Sequence, residues 1–179
     1  MLLPLEGIVS VANYELALAR ATGRGDKLTA ALDEAQGEPI ATVNAIAQAF
    51  RFVHKSEFDE AAHALPLRDG VIALVNQLRR RSYAVGVVSE RFIGLADIVR
   101  RRIFADFAVA HGLHFEGDVC QGSARINRAF GHDAGCNLRA HCMSNIVRTL
   151  RHGERDVPLR HISALGSEEG WYKVGPLAR

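Results

Sequence analysis

Four short stretches carry the residue types that could do chemistry in this chain: Pro4-Leu5-Glu6-Gly7, Ser89-Glu90-Arg91, Ala110-His111 and Gly166-Ser167-Glu168-Glu169. Each closes a short apolar run (LLPL, YAVGVVS, DFAVA and HISALG) with the length and β-branching of a buried strand. A carboxylate such as Glu6 can move a proton or hold a cation, and a hydroxyl such as Ser89 can donate to an anion. Against that stands Ser89 as the cap of the helix that follows it, the more ordinary role of such a serine. The four stretches form a set because ligands of open parallel sheets meet the carboxyl ends of the strands.

Other groupings are weaker. Cys136, His141 and Cys142, with His132 and Asp133 nearby, contain metal-binding residue types. They lack the paired spacing of structural zinc sites, and adjacent His141 and Cys142 point differently on a helix, so thiols in a core and surface histidines are expected instead. Arg79–Arg81 and Arg100–Arg102 sit in the last turns of two expected helices, where cations complement the helix dipole. If those helix ends lie close together, the arginines would form a patch for an anionic partner. Trp171-Tyr172 is a candidate protein contact, since aromatics are enriched in interface cores. The RGD tripeptide at 24–26 is read as coincidence.

The elements that must position these residues follow from periodicity. Residues 2–5 read as a strand, and Ser10 as the cap of a helix running to Thr22. Helices are expected over 27–35, 40–53 and 57–64, so the segment up to Pro66 is helical. Beyond it, strand and helix alternate: a helix from Val71 ending in RRR, a strand over 83–89, a helix over 92–102, a strand over 106–110 and a hairpin over 113–122. A helix over 137–150 and a strand over 161–166 complete the pattern. Alternation of this kind predicts an α/β fold with a parallel, Rossmann-like sheet between helices. The expected organisation is an α/β core of residues 1–9 and 66–179, with residues 10–65 as a small helical cap inserted after the first strand.

The chain of 179 residues is 48% hydrophobic and carries a net charge of +2, so one well-packed unit is expected and disorder is not. The charge is too balanced to imply nucleic acid by itself. Three cysteines imply no disulfide framework. No signal-peptide pattern and no run long enough to span a bilayer is present, and a cytoplasmic protein is expected.

The stretch from Leu65 to Ala124, LPLRDGVIALVNQLRRRSYAVGVVSERFIGLADIVRRRIFADFAVAHGLHFEGDVCQGSA, resembles the haloacid dehalogenase (HAD) superfamily, and within it the phosphoserine phosphatases. The likeness extends weakly over nearly the whole chain, the helical block taking the place of that family's cap. The resemblance implies a first motif, Asp-x-Asp-Gly-Thr, at the end of the first strand, with a nucleophile and a general acid/base two residues apart. Here Pro4 stands in the nucleophile's place, Glu6 in that of the acid/base and Ile8 in that of the threonine, while Gly7 is kept. The second motif implies that Ser89 donates to phosphate, but Glu90 and Arg91 replace the two glycines that would let the backbone approach it. Arg139 falls near the place of the phosphate-neutralising lysine. Ser167 and Trp171 replace the two acidic residues that would hold Mg²⁺, with Glu168 and Glu169 displaced beside them. Asn13 and Gln48 fall near the cap positions that would grip a phosphoserine head group. The chain also ends at Arg179, soon after the fourth motif, which implies a fragment or a sheet edge covered by something else.

Losing the nucleophile and the metal ligands together removes most of what phosphoryl transfer depends on. The expectation is therefore a catalytically degenerate HAD-like domain that binds, scaffolds or regulates, without cofactor, and with a protein partner or a second copy of itself. Gly7, Ser89 and Arg139 are the candidate anion-binding residues. One alternative is an active phosphomonoester hydrolase with rearranged ligands, using Glu6, Glu168 or Glu169 for Mg²⁺. Another is an anion- or nucleic-acid-binding module built on the arginine runs. Neither nucleic acid nor membrane is the expected partner.

Overall fold

The computed structural model describes residues 1–130. A four-stranded sheet in the order β1 (Leu2–Pro4), β2 (Gly86–Phe92), β3 (Phe107–Glu116) and β4 (Val119–Arg125) organises them. β1, β2 and β3 run parallel, and β4 returns antiparallel to β3 as a hairpin. Four helices fill the connection after β1: α1 (Tyr14–Thr22), α2 (Gly25–Ala35), α3 (Pro39–Ala49) and α4 (Lys55–Ala64). α5 (Val71–Arg80) leads into β2, α6 (Ile93–Arg102) joins β2 to β3, and a 3-10 turn at Arg128–Phe130 closes the described chain. The α/β class and the mostly parallel sheet agree with the sequence, and the helical block lies where periodicity places it. The expected helix over 137–150 and strand over 161–166 lie outside the described residues.

Several boundaries differ from this reading. α1 begins at Tyr14, capped by Asn13, whose Oδ1 accepts from the Leu16 N–H at 2.9 Å. Ser10 is not the cap, because its hydroxyl donates to the Pro66 carbonyl at 2.7 Å and accepts from the Ala12 N–H. α3 stops at Ala49 rather than running to 53. The backbone turns back at Phe52 (φ 70°), whose N–H donates to the Cys120 carbonyl at 2.8 Å. Lys55 N–H to Asp118 O and Cys120 N–H to Val53 O extend this pairing, so residues 52–55 lie along β4 and tie the helical block to the hairpin. β2 starts at Gly86 and runs on through Arg91 to Phe92, and β3 continues from Phe107 straight into the hairpin.

The core joins sheet and helices in one cluster that includes Leu3, Leu18, Phe50, Val87 and Ile103. Phe50, Phe58 and Phe115 stack edge to face at 5.8 and 5.5 Å, which seats α3 and α4 on the hairpin. Gly86 sits beneath the ring of Phe107, where a Cβ would come within 2.2 Å of the ring.

The two arginine-bearing helix ends do lie together, since Arg79 donates to the Phe104 carbonyl at 3.1 Å. Most of these arginines serve the fold. Arg100 and Arg101 pair with Asp97, Arg79 pairs with Asp106, and Arg102 donates to the carbonyls of Ala62 and Leu65. Among the described residues, no helix is long and apolar enough to cross a membrane.

Candidate functional site

The parallel register sets Pro4 opposite Val88, and Leu5 extends it by donating to the Val88 carbonyl at 2.7 Å. That register carries the chain just past β1, and the chain just past Val88, to the same end of the sheet. β2 is irregular there. Val88 pairs with Val109 and Phe92 with His111, so Ser89, Glu90 and Arg91 stand against Ala110 alone. A bulge of this kind re-aims side chains at the rim of a sheet. Ser89 there faces Glu6.

The loop from Leu5 to Ser10 is held tightly. Val9 and Ser10 donate to the Leu5 carbonyl, and Gly7 N–H donates to Ser10 O at 2.8 Å. Gly7 lies at φ 79°, in the left-handed region that glycine enters without steric cost. From outside, Arg68 fastens the loop, its guanidinium on the Gly7 carbonyl and its N–H on the Val9 carbonyl.

Inside this frame Ser89 Oγ donates to Glu6 Oε1 at 2.6 Å and accepts from the Arg91 N–H at 3.0 Å. Ser89 is fully buried and does not cap α6, whose N-cap is Phe92. The Arg91 guanidinium forms an ion pair with Glu15 on α1, through Nε and Oε1. Burial pushes the Glu6 carboxyl above its ordinary range, against the Ser89 hydrogen bond and the nearby Arg91 charge. Burial works the other way on Arg91, but Glu15, Glu6 and Glu90 outweigh it and hold the guanidinium more basic than usual.

Glu15 is the site residue that sequence reasoning missed. Its signal is its position: with Tyr14, Leu18 and Ala19 it forms the buried face of α1. A carboxylate on a buried stripe needs a cationic partner. Asn13 is occupied as the α1 cap, and Gln48 is exposed on α3, so neither joins Glu6 and Ser89.

His111 has other partners. It is fully buried, its Nδ1 accepts from the Asn127 N–H at 3.1 Å, and its ring packs on Phe130 at 4.4 Å. Ala110 and His111 are not a strand end, because β3 runs on to Glu116, and Asn127 donates to the Ala110 carbonyl, so the segment that follows β4 covers this part of the strand. Pro4 is buried at the end of β1, and its carbonyl accepts from Val9 N–H at 3.1 Å. Arg139, Ser167, Glu168, Glu169 and Trp171 lie outside the described residues, as do His132, Asp133, Cys136, His141, Cys142 and Tyr172.

The described part of the site does not suit Mg²⁺. This ion takes oxygen ligands in octahedral array, usually with one or two carboxylates. Glu6 already accepts from Ser89, and the Arg91 charge beside it opposes a second cation. Among the described residues, no three His, Cys, Asp or Glu side chains are grouped to hold a metal. What the arrangement can do is keep a partly buried carboxyl, a hydroxyl and a guanidinium in fixed mutual order.

No protein-family model matches the chain, and no curated protein matches it. Solved structures do. A phosphoserine phosphatase captured as a phospho-aspartyl intermediate analogue superposes with a TM-score of 0.72 at 16% identity, over 91% of this chain and 75% of that one. A substrate-bound phosphoserine phosphatase complex gives a TM-score of 0.71 at 15% identity, over 91% and 74%. A HAD family hydrolase from Salmonella enterica subsp. enterica serovar Typhi gives 0.71 at 12% identity, over 91% and 54%. The fold is thus HAD-like and of the phosphoserine phosphatase type, as the resemblance in sequence implies.

Proposed function

We propose that this chain is a catalytically degenerate HAD-like domain that acts as a binding, scaffolding or regulatory component. The observation that carries the reading is the hydrogen bond from Ser89 to Glu6, beside Pro4 at the end of β1. A hydroxyl that would serve a phosphate in a working phosphatase is spent on the protein's own carboxylate. The neighbour captured as a phospho-aspartyl analogue carries its phosphoryl mimic on an aspartate. Proline offers no side-chain nucleophile for such a step. Arg91 brings into the site a fixed positive charge that Glu15 balances. Ser89 with Glu6, and Arg91 with Glu15, satisfy one another without a ligand, which suits a part kept for its shape and for its contacts with a protein partner or a second copy.

The test is a titration with inorganic phosphate, followed at the backbone amides of Ser89 and Arg91 by nuclear magnetic resonance. The degenerate reading expects these amides to stay unmoved up to millimolar phosphate. A saturable shift at both would mean that an anion displaces Glu6, and would contradict the reading that Ser89 is spent on the protein's own carboxylate.

One observation favours a second reading, an active phosphomonoester hydrolase with rearranged ligands. By the resemblance Glu6 stands in the acid/base place, and a carboxyl raised by burial suits a proton donor. That reading requires a substitute nucleophile.

A further inference from the structure

The helical block holds a concave feature that shares no residue with the Glu6–Ser89 site. It is an open groove of about 420 Å³ between α2, α3 and the turn that follows α3. Arg24, Lys27, Glu34, Gln48, Arg51 and Phe52 line it over a floor of alanines. The volume lies in the range of small-molecule sites, which runs from about 300 to 1,000 Å³. Three cations face one carboxylate, which leaves the lining at +2.

Two of the cations are held in place. Arg24 Nη1 donates to the Ala49 carbonyl at 3.2 Å, leaving its other donors to the groove. Arg51 lies over the Phe52 ring, 4.7 Å from its centroid. Phe52 is itself out of the ordinary: it is 61% exposed and lies at φ 70°. A bulky side chain adopts that backbone only where its surroundings impose it. Here the imposition is the Phe52 N–H bond to Cys120. The result is an aromatic face, with a guanidinium on it, displayed at the mouth of a basic groove.

We propose that this groove binds a small aryl phosphate. The dianionic head group sits among Arg24, Lys27 and Arg51, and the ring lies against Phe52 and the alanine floor. The lining charge matches a dianion, guanidinium groups are suited to phosphate oxygens, and the apolar floor and Phe52 give a planar ring its contact.

The test uses phenylphosphonate, whose carbon–phosphorus bond a phosphatase would not hydrolyse, with inorganic phosphate and benzyl alcohol as the head group and ring alone. Binding is followed by calorimetry and mapped by amide shifts on the full chain. Phenylphosphonate should bind saturably, at least about tenfold tighter than either fragment, with shifts at Lys27, Arg51 and Phe52. Arg51→Ala and Lys27→Ala should each weaken it about tenfold, the scale of one charge-assisted hydrogen bond. Phe52→Gly is the informative ring deletion, because glycine suits the φ at this position and the fold should hold by thermal melting while affinity falls. Ser89→Ala should leave affinity unchanged, which separates this site from the one at the sheet end. No saturable binding, equal affinity for inorganic phosphate, or binding lost in Ser89→Ala but kept in Arg51→Ala would overturn the proposal.

Discussion

Arg91, at the end of β2, and Glu15, in the first turn of α1, pair across the boundary between the sheet and the helical block. The two side chains are only 24% and 8% exposed, so the pair is shielded from water and from salt. It joins two parts of the chain that are far apart in sequence, and it lies beside the Glu6–Ser89 hydrogen bond. Its first consequence concerns stability. Removing one partner leaves the other charge uncompensated, so Glu15→Leu or Arg91→Met should each cost roughly 3 kcal/mol. The apolar replacement Glu15→Leu with Arg91→Met should cost less than either single change. Urea denaturation of the four proteins, taken as a double-mutant cycle, measures this. Additive losses would show that the pair is not coupled.

Glu6 makes the pH dependence specific. Its folded pKa is raised, so the folded state favours the protonated form more than the unfolded chain does. Its contribution to stability is full at acid pH and is lost as pH rises through the folded value. Glu6→Gln, whose amide oxygen can still accept from Ser89, should therefore be more stable than the parent at neutral pH. The gap should close as the pH falls to the ordinary carboxylate range. Denaturation midpoints across this window check it, and a gap that widens in acid would reverse the sign.

The end of α6 offers a gain. Ala105 N–H donates back to the Arg100 carbonyl at 3.0 Å, which closes the helix with Phe104 in the left-handed position at φ 61°. Glycine usually fills that position. Phe104 is 57% exposed, so its ring returns little packing. Phe104→Gly should raise stability by about 1 kcal/mol, the order of the penalty on a left-handed side chain. Thermal melting decides it, and a lower Tm would mean that the exposed ring does more than the backbone shows.

Gly86 should tolerate nothing larger. The Phe107 ring covers it, with atoms 2.2 to 2.8 Å from where a Cβ would stand. Gly86→Ala must push this ring aside, and is expected to cost about 1–3 kcal/mol as an overpacked site. Phe107→Leu in the same chain should recover part of that loss in urea denaturation, because it removes the ring that clashes.

Much of this was legible in sequence, for physical reasons. β-branching marked β2, and helical periodicity marked the four helices after β1. The ends were harder. Ser10 and Asn13 are both cap-forming residues, and only the tertiary bond from Ser10 to Pro66 decides between them. The run from 40 to 53 stays apolar throughout, yet pairing of 52–55 with β4 ends α3 at Ala49, a long-range effect that periodicity does not carry. Glu6 and Ser89 were placed from motif positions, but their mutual bond depends on a bulge of which sequence gives no sign. Glu15 could have been found, as a carboxylate on the apolar face of an amphipathic helix. Of the remaining motif positions, Arg139 and Ser167 to Trp171 lie outside the described residues.

The most direct measurement is hydrolysis of phosphoserine and of a generic phosphate ester by the purified chain, with and without Mg²⁺. The Glu6→Gln, Ser89→Ala double variant is run beside it to expose any contaminating phosphatase. A degenerate domain gives no turnover above that variant in either condition. Mg²⁺-dependent turnover present in the parent and lost in the variant would contradict it, and would require a nucleophile other than the residue at position 4.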